Sequence, residues 1–252
     1  MPKTLTDWIR EANRILIFTG AGISTPSGIP AFRGAGGIWT TRQPVYYQNF
    51  MAKESARIEY WKYKLELWEE HGDAKPNIIH ESIVKLEKAG KVEMVVTQNV
   101  DGLHRAAGTS RDLLVEVHGN GTLVECQSCG FEEPAQASFE KFKNEGVCPI
   151  CKCGGYLKPA TISFGQNLRE ADLQRAFTAA GNCDLVIALG STLSVSPANA
   201  IPLAAAQSGI PYIIINRDET DHDGMTQLTL RLSGNVEEIF PPAVEAALAG
   251  ES

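Results

Sequence analysis

The sequence predicts an α/β protein: a doubly wound parallel, Rossmann-like sheet with a smaller zinc-plus-helical domain inserted in two pieces. Three observations carry that expectation. Short apolar runs alternate with helical repeats, a pattern that calls for right-handed crossovers between parallel strands. The first apolar run ends in a glycine-rich turn, Gly20-Ala-Gly-Ile-Ser24. Five of the six cysteines crowd into residues 126–153, in a stretch that breaks the alternation.

Leu5, Trp8, Ile9 and Ala12 recur at helical spacing, so residues 4–13 open the chain as a helix. Arg14-Ile-Leu-Ile-Phe-Thr19 has the profile of a strand buried on both faces. Similar runs occur at Val92–Thr97, Leu113–Val117, Leu185–Leu189 and Tyr212–Ile215. Helical patterns fill the gaps at Ile78–Lys88, Ala171–Ala180 and Ala198–Gln207, stopped by Gly90, Gly181 and Gly209. Residues 38–76 depart from this rhythm with a long amphipathic helix carrying Ile58, Trp61, Leu65 and Trp68 on one face. Residues 126–157, rich in Gly, Lys and Glu, hold the cysteines. The expected core is therefore 1–37, 77–125 and 158–252, and the expected small domain 38–76 and 126–157.

Composition excludes several function classes. The 252 residues are 43% hydrophobic and 21% charged, as in an ordinary soluble globular protein. A net charge of −7 disfavours direct nucleic-acid binding, which needs basic patches to neutralise phosphates. No apolar run approaches the roughly 18–20 residues of a membrane span. The N-terminal segment lacks the basic and apolar pattern of a secretory signal. A cytoplasmic protein is expected, and in that compartment clustered cysteines read as metal ligands rather than disulfides.

The chemistry-bearing residues fall at the ends of the expected strands, where a doubly wound sheet forms its ligand crevice. Gly20, Ala21 and Gly22 let backbone amides approach a pyrophosphate, although Thr25 occupies the third glycine position of the full fingerprint. The same pair of glycines also serves an ordinary tight turn. The stretch 27–37 suggests a flap that orders over a ligand, with Arg33 for phosphate and Phe32 for a ring face. Gly190-Ser191-Thr192 and Asn216 suit ribose and phosphate hydrogen bonding, or ordinary capping and turn formation. Gln98-Asn99-Val100-Asp101 offers two amides and a carboxylate to orient a polar group such as a carboxamide. His118, at a strand end before Gly119, is the expected general base. Among the other histidines, His71 and His222 lie in polar segments expected to be exposed, His80 lies within a helix, and His104 is placed to support the Asn99–Asp101 loop.

Cys126-x-x-Cys129 and a second cluster 18 residues later have tetrahedral thiolate spacing. Cys126, Cys129, Cys148 and Cys151 form the expected ligand set, with Cys153 the alternative fourth ligand. Four sulfurs leave no open position, so one structural zinc per chain is expected. Cys183, beside an apolar strand, is expected in the core.

With these motifs in order, the chain resembles the sirtuins, NAD-dependent protein-lysine deacylases, from Arg14 to about Pro242. The likeness rests on Gly20–Ser24, Gly28-Ile-Pro-Ala-Phe-Arg33, Thr97-Gln-Asn-Val-Asp-Gly-Leu-His104, His118-Gly119, the cysteine pairs, Leu157-Lys-Pro159, Phe164-Gly165, Gly190-Ser-Thr192 and Asn216. The resemblance implies that Ala21, Ser24, Phe32, Arg33, Gln98, Ser191 and Asn216 contact NAD, and that Asn99, Val100 and Asp101 shape a nicotinamide pocket. It implies His118 as general base with Asn99 and Asp101 in the catalytic set. Ile162, Phe164 and Gly165 would line an acyl-lysine tunnel or pair with the peptide. The implied products are nicotinamide, O-acyl-ADP-ribose and free lysine, and the implied partners acyl-lysine proteins or peptides. An ADP-ribosyltransferase of the same family and a non-catalytic NAD or ADP-ribose sensor are the rival readings.

The chain departs from the family pattern at three places. Ala31 stands where the usual loop has Asp, and Gln166 follows Phe164-Gly165 in place of Glu. Trp61 and Lys64 align with the Tyr and Arg that bind acidic acyl groups in some members. Acetyl is therefore the expected acyl group.

Overall fold

In the computed structural model, which describes residues 2–31 and 43–249, Thr4 begins the first helix with a reciprocal cap. Its side chain accepts from the Asp7 N–H, and the Asp7 carboxylate accepts from the Thr4 N–H. That helix, α1 (Leu5–Glu11), leads into β1 (Ile15–Thr19). After the undescribed segment come α2 (Tyr47–Ala52), α3 (Glu54–His71), α4 (Ile78–Lys88), β2 (Val92–Thr97), α5 (Leu103–Ala107) and β3 (Leu114–Glu116). β4 (Gly119–Cys126), β5 (Glu132–Pro134), α6 (Ala135–Glu145) and β6 (Leu157–Thr161) form the next unit. The chain then alternates through α7 (Glu170–Asn182), β7 (Leu185–Leu189), α8 (Ala200–Gln207), β8 (Tyr212–Asn216), β9 (Leu230–Ser233) and α9 (Val236–Leu248).

The main sheet has six strands in the order β3-β2-β1-β7-β8-β9, with every pairing parallel. This is the doubly wound order, and it confirms the expected fold class. Alternation along each strand divides the core in two. Ile15, Ile17, Ile187 and Ile213 face one layer, where they pack on Ile9, Ile83 and Phe240 of α1, α4 and α9. Leu16, Phe18, Val186 and Ile214 face the other, against Ala176, Ala180, Ile201 and Ala205 of α7 and α8. Burial on both faces explains why these strands read as continuous apolar runs.

Beyond shifts of one or two residues at element ends, two features differ from expectation. α7 continues through Gly181 to Asn182, because Cys183 in extended conformation ends it. β9, absent from the sequence reading, pairs with β8 as an edge strand.

A third core lies apart from the sheet. Phe50, Tyr60 and Trp61 of α2 and α3 pack with Val124, Phe139, Phe142 and Leu157. Ile58, Leu65 and Trp68 join them, so the amphipathic face read from the sequence is the packed one. Trp61 is fully buried, with ring centroids 5.4 Å from Phe139 and 5.7 Å from Phe142. The antiparallel sheet β5-β4-β6 carries this unit, and Gly119 pairs with Thr161 at one end and Cys126 with Leu157 at the other. That sheet begins within the segment the sequence reading assigned to the core.

Candidate active site

β1 and β7 are neighbours from which the chain winds outward in opposite directions, and such a switch point opens a crevice at the strand ends. The turns after the two strands touch. The Gly20 N–H donates to Leu189 O at 3.0 Å and the Gly22 N–H to Gly190 O at 2.8 Å. A Cβ at Gly22 would lie 2.8 Å from the Gly190 backbone, and Gly190 itself has φ +61°. Glycine at these positions is required for turn-to-turn contact as well as for approach of a ligand.

A cleft of about 640 Å³ opens there. Ala21 and Gly22 line it from β1, Gln98, Asn99 and Val100 from β2, and His118 from the end of β3. Gly190, Ser191 and Thr192 enter from β7, Asn216 from β8, and Ile162, Phe164 and Gly165 from beyond β6. Gly20 sits behind the wall, against Ser191. Phe32 and Arg33 lie outside the described residues. The sequence reading did not single out Asn235 and Glu237 at the start of α9, which also line the cleft.

His118 Nδ1 lies 3.0 Å from Gln98 O. A carbonyl can only accept, so Nδ1 carries the proton and Nε2 is left unprotonated. Burial holds the imidazole pKa below its ordinary value, against the opposing bond to Gln98, and the ring is therefore neutral near pH 7. Gly119 has φ +79°, and a Cβ there would run into Ala160 O, so this glycine lets β4 turn tightly against β6 directly after His118.

Beside His118 a chain of three side chains is closed by hydrogen bonds. Asn99 Nδ2 donates to Gly20 O and to Ser24 Oγ, each at 3.1 Å. Ser24 Oγ donates to Asp101 Oδ2 at 2.7 Å, and the Leu103 N–H caps Asp101 Oδ1 at 2.9 Å. Burial pushes the Asp101 carboxyl pKa up, and the bonds from Leu103 and Ser24 moderate the rise. Asn99, Ser24 and Asp101 line a second chamber of about 150 Å³, with Ile29, Leu67 and Trp68 at its apolar end. Lys64 lines both spaces.

The rest of the wall is fixed from behind. Ser191 Oγ donates to Gln98 Oε1 at 2.8 Å, tying β7 to β2. His104 Nε2 lies 3.0 Å from Thr19 Oγ1, which bonds Thr97 Oγ1, the acceptor of the Asn99 N–H. The expected supporting position of His104 is thus observed, and desolvation holds its pKa at about 3. Tyr60 OH reaches Thr161 Oγ1 at 3.0 Å, while buried Lys158 donates to the carbonyls of Pro159 and Thr161. Gln48 Nε2 holds Gly165 O at 2.8 Å. His222 does not match its expected exposure: it is buried against Tyr212, whose hydroxyl lies 3.0 Å from its Nδ1. Its neighbours Asp221 and Asp223 give the segment a polar sequence although the imidazole itself turns inward. Cys183 is buried, as expected.

The cysteine geometry requires a correction. The sulfurs brought within 4.8 Å of one another belong to Cys126, Cys129, Cys151 and Cys153. Cys153 takes the place assigned to Cys148, while Cys151 stays in the set. Cys126 Sγ is 3.5 Å from Cys153 Sγ, and Cys129 Sγ is 3.9 Å from Cys151 Sγ. Tetrahedral zinc with Zn–S of about 2.3 Å has sulfur–sulfur edges of about 3.8 Å, so these four fit the ion. Gly154 and Gly155 permit the cause: the Gly154 N–H returns to Cys151 O at 2.9 Å, and the Cys151 N–H bonds Gly155 O at 2.8 Å. This tight turn brings Cys151 and Cys153 into the cluster, while the Cys148 sulfur lies outside it; Cys148 and Cys151 both touch the aromatic core of α2, α3 and α6. N–H groups of Cys129 and Ser128 draw the Cys126 thiol down to about 6, which favours the thiolate a metal needs.

Comparison with known proteins agrees with this geometry. The family model described as "Sir2 family" matches residues 20–197. NAD-dependent protein deacetylase 1 of Bradyrhizobium diazoefficiens is 41% identical over 229 residues, spanning 91% of this chain and 90% of the relative. NAD-dependent protein deacetylase of Rhodopseudomonas palustris is 41% identical over 230 residues, 91% of each. A solved structure of a Sir2 with a p53 peptide and NAD+ superposes with TM-score 0.81 at 33% identity, covering 98% of this chain and 97% of that one. The chain belongs to the Sir2 family.

Proposed function

We propose that this chain removes acyl groups, acetyl above all, from protein lysines with consumption of NAD. The observation that carries the reading is a neutral histidine with its proton fixed on Nδ1, beside the Asn99–Ser24–Asp101 chain at the switch point. NAD supplies the ADP-ribosyl acceptor and nicotinamide as leaving group. In this reading His118 Nε2 takes a proton from a ribose hydroxyl. Asn99 and Asp101 orient the carboxamide of nicotinamide, with Val100 as the pocket's apolar wall. Gly22, Ser191, Thr192, Gln98 and Asn216 bind the phosphates and ribose. The strand end Ile162-Ser-Phe164, held by Tyr60 and Lys158 from behind, receives the acyl-lysine.

The zinc belongs to Cys126, Cys129, Cys151 and Cys153 and is structural, because four thiolates leave no position for substrate. The domain division read from the sequence is part of the proposal, supported by the separate aromatic core. So is a cytoplasmic location, supported by the thiol cluster. Among the described residues no helix is long and apolar enough to cross a membrane.

His118→Ala tests the reading with an acetyl-lysine peptide and NAD. Loss of general-base catalysis should lower turnover by at least about 100-fold, with zinc content and ADP-ribose binding retained. Near-normal turnover would remove His118 from the chemistry.

A further inference from the structure

Arg231 lies on β9, outside the cleft, and its guanidinium bonds the turn after β8 and one carbonyl of its own strand. Nε donates to Asp223 Oδ1 at 2.8 Å. Nη1 donates to Asn216 O at 2.9 Å and Leu232 O at 2.7 Å, and Nη2 donates to Asp218 O at 2.7 Å. Asp223 is itself fixed, accepting from Thr220 Oγ1 at 2.7 Å and the Thr220 N–H at 3.2 Å. One planar cation thus joins both ends of the segment 216–223 to the edge strand.

The cleft side of the same segment is made by Asn216, Arg217 and Asp218. Asn216 is almost fully buried, and its Nδ2 donates to Asp218 O at 2.8 Å. Asp218 O therefore receives Arg231 from one side and the Asn216 amide from the other. This shared carbonyl anchors the Nδ2 side of the Asn216 carboxamide. An arginine is suited to the task because its five donors lie in a fixed plane; a lysine ammonium cannot span the same acceptors.

We infer that Arg231 is a positioning residue for NAD: through Asp218 O it presets the Asn216 amide and the turn read above as binding the phosphates and ribose of the dinucleotide. The inference rests on the reading of the cleft as the NAD site. Arg231 touches neither the His118 side of the cleft nor the strand end at Ile162, so its contribution is confined to cofactor affinity.

The test measures ADP-ribose binding by calorimetry and steady-state kinetics with NAD and an acetyl-lysine peptide, in Arg231→Met, Arg231→Lys and Asn216→Ala. Methionine keeps the apolar stem and removes the fork. The expected result is a Kd for ADP-ribose and a KM for NAD raised about tenfold in Arg231→Met, equivalent to about 1.4 kcal/mol. Saturated kcat and KM for the peptide should stay within about twofold, and Arg231→Lys should recover only part of the loss. An unchanged Kd in Arg231→Met, with binding weakened in Asn216→Ala, would overturn the inference and leave the cleft reading standing. Unchanged binding in both variants would remove the cleft reading and the inference together. A parallel decline of kcat and both KM values would mark a general structural role and overturn it as well. Should Arg231→Met not fold, full ADP-ribose affinity in folded Arg231→Lys would be the refuting result.

Discussion

Replacing each of three cysteines in turn separates the two possible zinc sites. The geometry gives Cys151 and Cys153 to the metal and leaves Cys148 out, although Cys148-x-x-Cys151 is the standard knuckle spacing. The Cys126–Cys153 and Cys129–Cys151 sulfur–sulfur distances, 3.5 and 3.9 Å, bracket the tetrahedral edge of about 3.8 Å. Cys148 is half-buried beside the aromatic core of α2, α3 and α6, and its sulfur lies outside the cluster of four. Cys148→Ala then loses part of one buried sulfur's transfer energy, about 1 kcal/mol or less, and Tm should fall by no more than about 4 °C for a chain of this size. Cys151→Ala or Cys153→Ala removes one of four thiolates from a site whose binding energy is coupled to folding, with apparent values of about 10–16 kcal/mol in zinc-finger peptides. A loss of only a quarter of that is about 3 kcal/mol, so Tm should drop by roughly 10 °C. Zinc per chain by mass spectrometry, before and after dialysis against a mild chelator, reads the site directly. Zinc lost from Cys148→Ala, or kept at one per chain in Cys153→Ala, would refute the assignment.

What the sequence disclosed and what it concealed follow from the same physics. Strands buried on both faces, such as Ile15–Thr19 and Leu185–Leu189, must be continuously apolar, so they stand out. Edge strand β9 is half-exposed, and Leu228, Leu230 and Leu232 alternate with polar residues into and along it, a period of two that is its weak sequence signal. The polar residues at the strand ends were legible because a doubly wound sheet fixes where its crevice lies. Their mutual bonds were not, since Ser24 meets Asp101 only after the two loops fold together across 77 positions. Arg231 was hidden for the same reason: three of its four acceptors are main-chain carbonyls, which every residue possesses. The choice between Cys148 and Cys153 depends on a turn through Gly154 and Gly155, a backbone property that ligand spacing alone does not encode.

Asp101→Asn should weaken nicotinamide inhibition and nicotinamide exchange, because an amide cannot replace the carboxylate as acceptor from both Ser24 and the carboxamide; unchanged inhibition in exchange assays would place the pocket elsewhere. Acid stability should reflect His80 and His104, buried neutral with pKa values of about 4 and 3. Their folded values are depressed, so stability is full above about pH 6.5 and is withdrawn as pH falls toward 4, with a slope of up to about 1.4 kcal/mol per pH unit for each histidine. Urea unfolding across that window should show a shallower slope in His80→Gln, and an identical slope would refute the assignment. Acyl preference is expected to favour acetyl over succinyl on matched peptides. Trp61, aligned with a carboxylate-binding tyrosine in some members, is fully buried against Phe139 and Phe142 and offers nothing to the tunnel. Lys64 does line the cleft, but as a point charge it lacks the bidentate fork that holds a buried carboxylate, and Ala31 on the cleft wall adds no polar contact. A kcat/KM for the succinyl peptide above that for the acetyl peptide would show that Lys64 alone suffices, and Lys64→Met would then abolish the advantage.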